Sequence, residues 1–320
     1  MILKKKDSRE ADVAALKRLL TLKLSTKQRT AIENELKFLL AGESNENNSA
    51  YYLDFQYKDS KNWVIIHDLR IEHRGRVAQI DHLLINRFLE MYVLESKSYY
   101  YGVKITEDGE FQRLNGKYYQ AIESPIEQNR RHIKVLSDCI DDKKLAPLRL
   151  GIPIPVTFKN YILVSPTSNL IKPKKAPFDL SCVIKADAFI SHLVKELDNM
   201  SFVTSFASAA KLIGTDTLME FGRLIARQHK PGSINYAAKF GVTEEGEQEP
   251  RAALVVTTPV AKNAVKEPSA PEYVASATRC QECGAEVDKK VVYFCRINKA
   301  KFKGHILCRD CQQLPALDPV

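Results

Sequence analysis

Asp81, Glu95 and Lys97 are the residues of this chain whose types and spacing suit chemistry. Asp81 lies in the apolar run Ala78–Asn86, and Glu95 and Lys97 lie in the next run, Met91–Ser98, beyond a short polar turn around Arg87. Both runs predict β-strands. Side chains two apart on a strand share a face, so Glu95 and Lys97 project together while Ser96 points away. If the strands pair, Asp81 comes close to Glu95, and two carboxylates and an ammonium crowd one small volume. Crowded carboxylates repel one another unless a cation offsets them, and a hard divalent ion such as Mg2+ (or Mn2+) held by Asp81 and Glu95 would do so. Such a centre suits metal-assisted hydrolysis of a phosphodiester, in which the ion polarises the phosphate and acidifies a water. Lys97 could orient that water or hold charge developing on the phosphate oxygens. Glu43, at the end of a preceding helix, could add a carboxylate. Gln128 and Asn129, on a helix opened by Pro125, could fix a phosphate or a water. Each residue also has a structural interpretation: an Asp81–Lys97 ion pair, a solvated Glu43, a surface amide at Gln128. His82 should face away from Asp81 and reads as a structural histidine. Tyr99, Tyr100 and Tyr101 could stack on bases, with packing as the alternative.

The elements that must position these residues follow from periodicity. Leu16, Leu19, Leu20 and Leu24 mark one helix; Ile32, Leu36, Leu39 and Leu40 mark a second, capped by Ser25-Thr26 and ended by Gly42. Tyr51–Tyr57 and Asn62–Ile71 read as strands leading to those of Asp81 and Glu95. Leu114–Tyr119 adds a short strand, and Ser124-Pro125 opens a helix to about Cys139. Asn160–Val164 and Cys182–Ile184 read as strands, Ala186–Leu197 as an amphipathic helix, and Ser205–His229 as mainly helical. This order describes an α/β fold, a mixed sheet with helices on its faces.

The other constellation is at the far end. Cys280-Gln281-Glu282-Cys283 and Cys308-Arg309-Asp310-Cys311 form two knuckles 24 residues apart. Each turn can present two thiolates to one tetrahedral Zn2+. With Val291–Cys295 and His305–Leu307 read as short strands, the segment is expected to be a zinc ribbon. A redox-active Cys-x-x-Cys is the alternative, and Cys295 or His305 could substitute as a ligand. Lys289, Lys290, Arg296, Lys299, Lys301 and Lys303, interleaved with Tyr293, Phe294 and Phe302, suit phosphate contacts and stacking. A solvated basic face or a protein-docking surface would carry the same letters.

Composition narrows the class. The chain has 320 residues, with 48 Lys and Arg against 39 Asp and Glu, a net charge of +9 that is compatible with a polyanionic partner. No uninterrupted apolar run approaches the ~20 residues that span a bilayer, and the start, Met1 to Asp7, lacks the apolar stretch of a secretory signal. Five of the seven cysteines fall in the last 41 residues, which points to a reducing, cytoplasmic setting with a local metal site and no disulfide framework.

The span from Ala41-Gly42-Glu43 to about Leu197 resembles the nuclease-related domain (NERD) family. The matching features are Gly42-Glu43 after a helix, Gln79-Ile80-Asp81-His82 on a strand and Val93-Leu94-Glu95-Ser96-Lys97 on the next. Tyr101-Gly102, and Pro125 with Gln128, also fit. The resemblance implies a restriction-endonuclease-like, PD-(D/E)xK mixed β-sheet core flanked by helices. It also implies a metal-dependent DNA-cleaving site with Glu43, Asp81, Glu95 and Lys97 at the matching positions. The expected organisation is an N-terminal helical segment (1–41), the nuclease-like domain (42–200), a helical extension (201–230), a flexible linker (231–278) and a small zinc ribbon (279–313). The function expected is a nuclease acting on DNA, with RNA as a second choice and a homodimer where both strands are cut. The alternatives are a catalytically idle nucleic-acid-binding protein and an interaction protein that docks through the ribbon.

Overall fold

A computed structural model describes residues 1–198, 212–242, 279–287, 291–292, 295, 302, 305–308 and 310–312. The chain divides into two units, Met1–Arg251 and Ala252–Val320.

In the first unit, the strands β1 (Ile2–Lys4), β2 (Trp63–His73), β3 (Arg76–Asn86) and β4 (Glu90–Lys97) are joined by β10 (Thr157–Val164) and β12 (Val183–Lys185). They form one six-stranded mixed sheet in the order β1-β2-β3-β4-β10-β12. β2, β3 and β4 run antiparallel, while β1, β10 and β12 are parallel to their neighbours. Arg74 (φ 49°) and Gly75 (φ 69°) both adopt the left-handed conformation that a tight two-residue hairpin demands. β4 and β10 are parallel and in register from Glu90↔Thr157 to Lys97↔Val164, and such a pair needs a crossover connection, usually a helix. That helix is α3 (Pro125–Asp142), which packs on β3 and β10.

Strand alternation divides the core in two. Val64, Ile66, Leu83, Ile85 and Val93 face α3 and α5 (Thr215–Ala226); Ile65, Leu84, Tyr92 and Leu94 face α2 (Thr26–Tyr57) and α4 (Phe189–Asp198). Gly222 of α5 lies against Leu3 and Val64, where a Cβ would come within 2.6 Å of a Leu3 methyl, so glycine sets the helix–sheet distance. α1 (Glu10–Leu20) and α6 (Tyr236–Phe240) close a small third core, with Tyr236 buried against Leu16, Leu19 and Ile32. A second sheet, β11-β5-β6-β7, is built from β5 (Val103–Ile105), β6 (Phe111–Asn115), β7 (Tyr118–Ile122) and β11 (Leu170–Ile171). The hairpin β8 (Leu148–Arg149) and β9 (Ile152–Pro153) stands apart.

Four expectations are corrected. Gly42 does not end the second helix: α2 runs 32 residues, from the Ser25–Gln28 capping box through Gly42 to Tyr57. A mid-helix glycine costs about 1 kcal/mol, and burial of Ser49, Leu53 and Tyr57, four apart on one face, outweighs it. The same spacing explains why Tyr51–Tyr57 is helix and not strand. Leu114–Tyr119 is a hairpin, β6 turning into β7 at Gly116 (φ 68°), and not one strand. The start of the expected linker is ordered, since Asn235 caps α6 and Gln28 donates to the Phe240 and Gly241 carbonyls; residues 243–278 lie outside the described residues.

The second unit has its own core of Cys280, Val287, Val291, Cys295, Phe302, Ile306 and Cys308, with Cys311 packed against it. Val291–Cys295 is not the strand expected, because Val291, Val292 and Cys295 are helical, and His305–Leu307 is irregular. Arg279 and Glu286 form an isolated antiparallel bridge around the first knuckle. Phe302 is buried, so it is not free to stack on a base. The basic residues between the knuckles, and Tyr293 and Phe294, lie outside the described residues. Among the described residues, no helix is long and apolar enough to cross a membrane.

Candidate active site

The β2–β3 ladder is interrupted where the chemistry sits. His67 pairs with His82 and Leu69 with Ile80, but Asp68 (φ 52°), opposite Asp81, drops out of the pairing. On the far side of this break the faces exchange: Leu69, Ile71, Ala78 and Ile80 join the core of Leu83 and Ile85. The kink releases Asp81 from regular alternation. Its carboxylate accepts the Ser96 amide at 2.7 Å, which ties it to the next strand between Glu95 and Lys97.

Glu95 is 4% exposed and is held by a closed triangle. Lys97 Nζ is 2.7 Å from Glu95 Oε1, Gln128 Nε2 donates to the same oxygen at 3.0 Å, and Lys97 Nζ donates to Gln128 Oε1 at 3.1 Å. Gln128 reaches this point because Ser124 caps α3 and Pro125 starts it, leaving Gln128 in the first turn. One turn on, His132 shares its face and brings Nδ1 to 3.7 Å from Glu95 Oε2. Glu95 Oε2 and His132 Nδ1 are both buried without a hydrogen-bond partner. Leaving a buried carboxylate oxygen unpaired is unfavourable, and the donor set here, two carboxylates on adjacent strands, suits a hard divalent cation.

The electrostatics agree. Burial, then the charges of Glu95 and Glu46, push the Asp81 carboxyl well above the usual range, against the Ser96 amide and Lys97. Burial also raises Glu95, with Lys97 and Gln128 opposing it. His132 is pushed down to about 4 by burial and by the charges of Lys97 and Arg131, so it is neutral at pH 7. Asp81, Glu95, Lys97 and Gln128 thus come together. Asn129 does not join them: it is fully buried and donates to the Val93 carbonyl and Asn160, fastening α3 to β4 and β10. From α2, the carboxylate whose charge reaches Asp81 belongs to Glu46, which pairs with Lys6 at 2.7 Å. Glu43 lies one turn earlier on that helix, and its carbonyl accepts Lys6 Nζ at 3.4 Å. His132 and Glu46 were both readable as helical neighbours of Gln128 and Glu43, at i+4 and i+3.

The opposite face of the same strands carries a different device. Asp54, His67, His82 and Ser96 are linked in series: His67 Nε2 to Asp54 Oδ1 at 2.9 Å, the two Nδ1 atoms at 2.8 Å, and His82 Nε2 to Ser96 Oγ at 3.2 Å. Two ring nitrogens can share one proton only if one ring is neutral. Burial, His67 and Lys6 hold His82 well below the usual histidine range, as a structural histidine requires.

In the second unit, the Sγ atoms of Cys280, Cys283, Cys308 and Cys311 lie within 4.8 Å of one another. Cys283 and Cys308 are 3.6 Å apart, close to the about 3.8 Å separating thiolates on a tetrahedral zinc with 2.3 Å bonds. Burial opposes ionisation of Cys280, yet amide hydrogen bonds at Cys283, Cys308 and Glu282 bring its thiol down to about 6. Cys295 does not substitute: its sulfur contacts Leu307 and Gln312 instead. His305 is exposed and likewise outside the group.

Fold and site together define a mixed α/β domain with two carboxylates, an ammonium and an amide gathered at one place. Residues 41–161, from the middle of α2 to β10, match the nuclease-related domain family (NERD), and the matched span includes Glu46, Asp81, Glu95, Lys97 and Gln128. No curated protein and no solved structure matches the chain.

Proposed function

We propose that the protein is a metal-dependent nuclease that hydrolyses phosphodiester bonds in DNA, on a PD-(D/E)xK-type core. The observation that carries this is the buried, unpartnered Oε2 of Glu95 beside Asp81. Asp81 and Glu95 would hold Mg2+ or Mn2+, with the α2 carboxylates Glu43 and Glu46 in support. Bound there, the cation would supply Lewis-acid polarisation of the phosphate and a more acidic water. Lys97, beside Glu95, places an ammonium where charge develops on the phosphate oxygens or where the attacking water must be held. Gln128 keeps Glu95 and Lys97 in register by bonding both. Neutral His132 keeps a second positive charge away from the pair. The four cysteines would hold Zn2+ in a ribbon (279–313) that raises the local concentration of the domain on nucleic acid, and the setting would be cytoplasmic.

The Lys97–Glu95 ion pair favours one competing reading, a catalytically idle nucleic-acid-binding fold, because it neutralises the would-be ligand without a metal. Cleavage of supercoiled, linear and single-stranded DNA with Mg2+, Mn2+ or EDTA decides between them. Metal-dependent cutting that is lost in folded Asp81→Asn and Lys97→Ala variants is the expected result. Cutting that is absent, or that survives both substitutions, would leave the idle reading.

A further inference from the structure

Immediately beyond the catalytic strand the chain displays an aromatic surface for which the site described above has no use. Tyr99 turns inward, into the core of Val103, Phe111 and Val164. Tyr100 and Tyr101 turn outward, Tyr100 being 90% exposed, with their rings edge to face at 4.6 Å. They form a short arch pinned at both ends: the Tyr99 amide donates to Ser168 Oγ and the Val103 amide to the Asn169 carbonyl. At the end of the arch, Gly102 has φ 123°, and a Cβ there would be 2.8 Å from the Asn169 carbonyl oxygen. Only glycine fits, so the backbone that carries the two tyrosines is fixed at this end.

The second sheet extends this surface. The Leu114 amide donates to the Gly102 carbonyl, and Leu114 pairs with Tyr119 across β6 and β7. The tip of the β6–β7 hairpin therefore lies at the same end of the sheet as the Tyr100–Tyr101 arch. Tyr119 is exposed there with Lys104 Nζ 5.6 Å from its ring centre, and Lys117 stands exposed in the hairpin turn. Charge is sorted along the sheet: the acidic residues Glu107, Asp108 and Glu110 occupy the β5–β6 turn at the other end. Chain reach alone keeps Tyr100 within roughly 10 Å of the Lys97 backbone.

We propose that Tyr100, Tyr101 and Tyr119, with Lys104 and Lys117, form a stacking shelf for single-stranded nucleic acid, so that the substrate enters the site through unpaired nucleotides. This rests on the nuclease reading and names its substrate class. Exposed aromatic rings with ammonium groups beside them match the two halves of a nucleotide: stacking takes the base and Lys takes the phosphate. A base inside a duplex shows its edges and not its faces, so the shelf discriminates against intact double helix.

The test uses the full chain in a Lys97→Ala background, with and without Tyr100→Ala/Tyr101→Ala. Binding of a labelled oligothymidylate and of a labelled duplex is read by anisotropy. An oligothymidylate carrying 5-iodouracil is crosslinked by light, and the modified peptides are mapped. Loss of stacking should weaken oligothymidylate binding about tenfold or more and duplex binding by less than about twofold. Tyr100→Phe/Tyr101→Phe should bind as the parent does, and crosslinks should fall on Tyr100, Tyr101 or Tyr119. Equal loss on both ligands, no loss on either, or crosslinks confined to other segments such as the cysteine unit would overturn the shelf. Wild-type cleavage with Mg2+ separates the two claims: cutting with a failed shelf leaves the nuclease standing, binding at the shelf without cutting removes the nuclease alone, and neither binding nor cutting overturns both.

Discussion

The carboxylate site and the cysteine site are held together in opposite ways. Asp81, Glu95, Gln128 and Glu46 come from β3, β4, α3 and α2, and each is fixed by an element that buries apolar residues for its own reasons. Leu83, Val93 and Leu136 are wholly buried around them. The four cysteines come from two knuckles, and among the described residues the core of their unit is a few side chains. The first site is therefore carried by a fold that stands without it, and it tolerates two crowded acids of which only Glu95 is paired with Lys97. The second has too little apolar area to stand alone, so the ligands must contribute to folding as well as to binding.

That contrast predicts the largest effect. Removing zinc from the full chain with a strong chelator, or replacing Cys280 and Cys308 with Ser, should unfold the C-terminal unit, because structural zinc supplies on the order of 10 kcal/mol to domains this small. Limited proteolysis should then cut throughout 279–312 and leave Met1–Leu197 intact. Protection of the cysteine unit without metal would erase the distinction.

The carboxylate site should show the reverse pattern, with function lost and stability kept. Asp81→Asn should lower metal-dependent cutting roughly 100-fold or more while raising the melting temperature of the metal-free protein by a few degrees. The sign follows from the raised carboxyl. The folded state holds its proton more tightly than the unfolded chain, so metal-free stability falls as pH rises above the ordinary carboxylate range, until Asp81 is ionised. Asn carries no such charge and still accepts the Ser96 amide. If Asp81 were half of a structural ion pair with Lys97, the same substitution would lower the melting temperature.

A smaller effect contrasts the two faces of one sheet. His82→Ala leaves a cavity and strips partners from His67 and Ser96, which should cost about 3 kcal/mol in urea denaturation. Replacing both histidines by apolar residues, His67→Leu/His82→Leu, should cost less than the sum of the single changes, because no polar atom of the pair is then left alone. Additive losses would show that the two rings do not share a proton.

How much of this was legible in the sequence depends on how local the determining interactions are. Strand alternation alone placed Glu95 and Lys97 on one face with Ser96 on the other, while the helix start at Pro125 offered Gln128 and Asn129 alike, of which only Gln128 bonds the pair. The knuckles announced the cysteine cluster for the same reason, since each turn is self-contained. α2 was misjudged where a local signal, Gly42, met a tertiary one, the burial of Leu53 and Tyr57 against β2 and β4. The partnership of His67 with His82 depends on strand register, and the break at Asp68 on a left-handed backbone residue that is not glycine; neither leaves a mark on composition or period. Exposure of Tyr100 and Tyr101 beside a half-buried Tyr99 is likewise set by Asn169 and Ser168, about seventy residues on.

The smallest effect belongs to the outer flank of α3, where charge pairs are exposed. Asp138 lies between Lys134 and Arg76 (2.7 Å), and hydrogen bonds from both side chains take its carboxyl down to about 2. An acid whose folded value is depressed stabilises the fold above its unfolded value, near pH 4, and loses that contribution as pH falls toward 2. Asp138→Asn should therefore melt slightly below the parent at pH 7, and the gap should close on acidification and on adding salt. In these terms Asp138 is the inverse of Asp81: a half-buried acid with cations on either side, against another whose neighbours are largely acids. Asparagine should be mildly destabilising at the first and stabilising at the second, so the two melting curves, taken in one buffer series, read the charge balance of the site against that of the surface. Equal signs at both positions would mean that burial near Asp81 is already compensated, and the argument for a cation there would lose its electrostatic half.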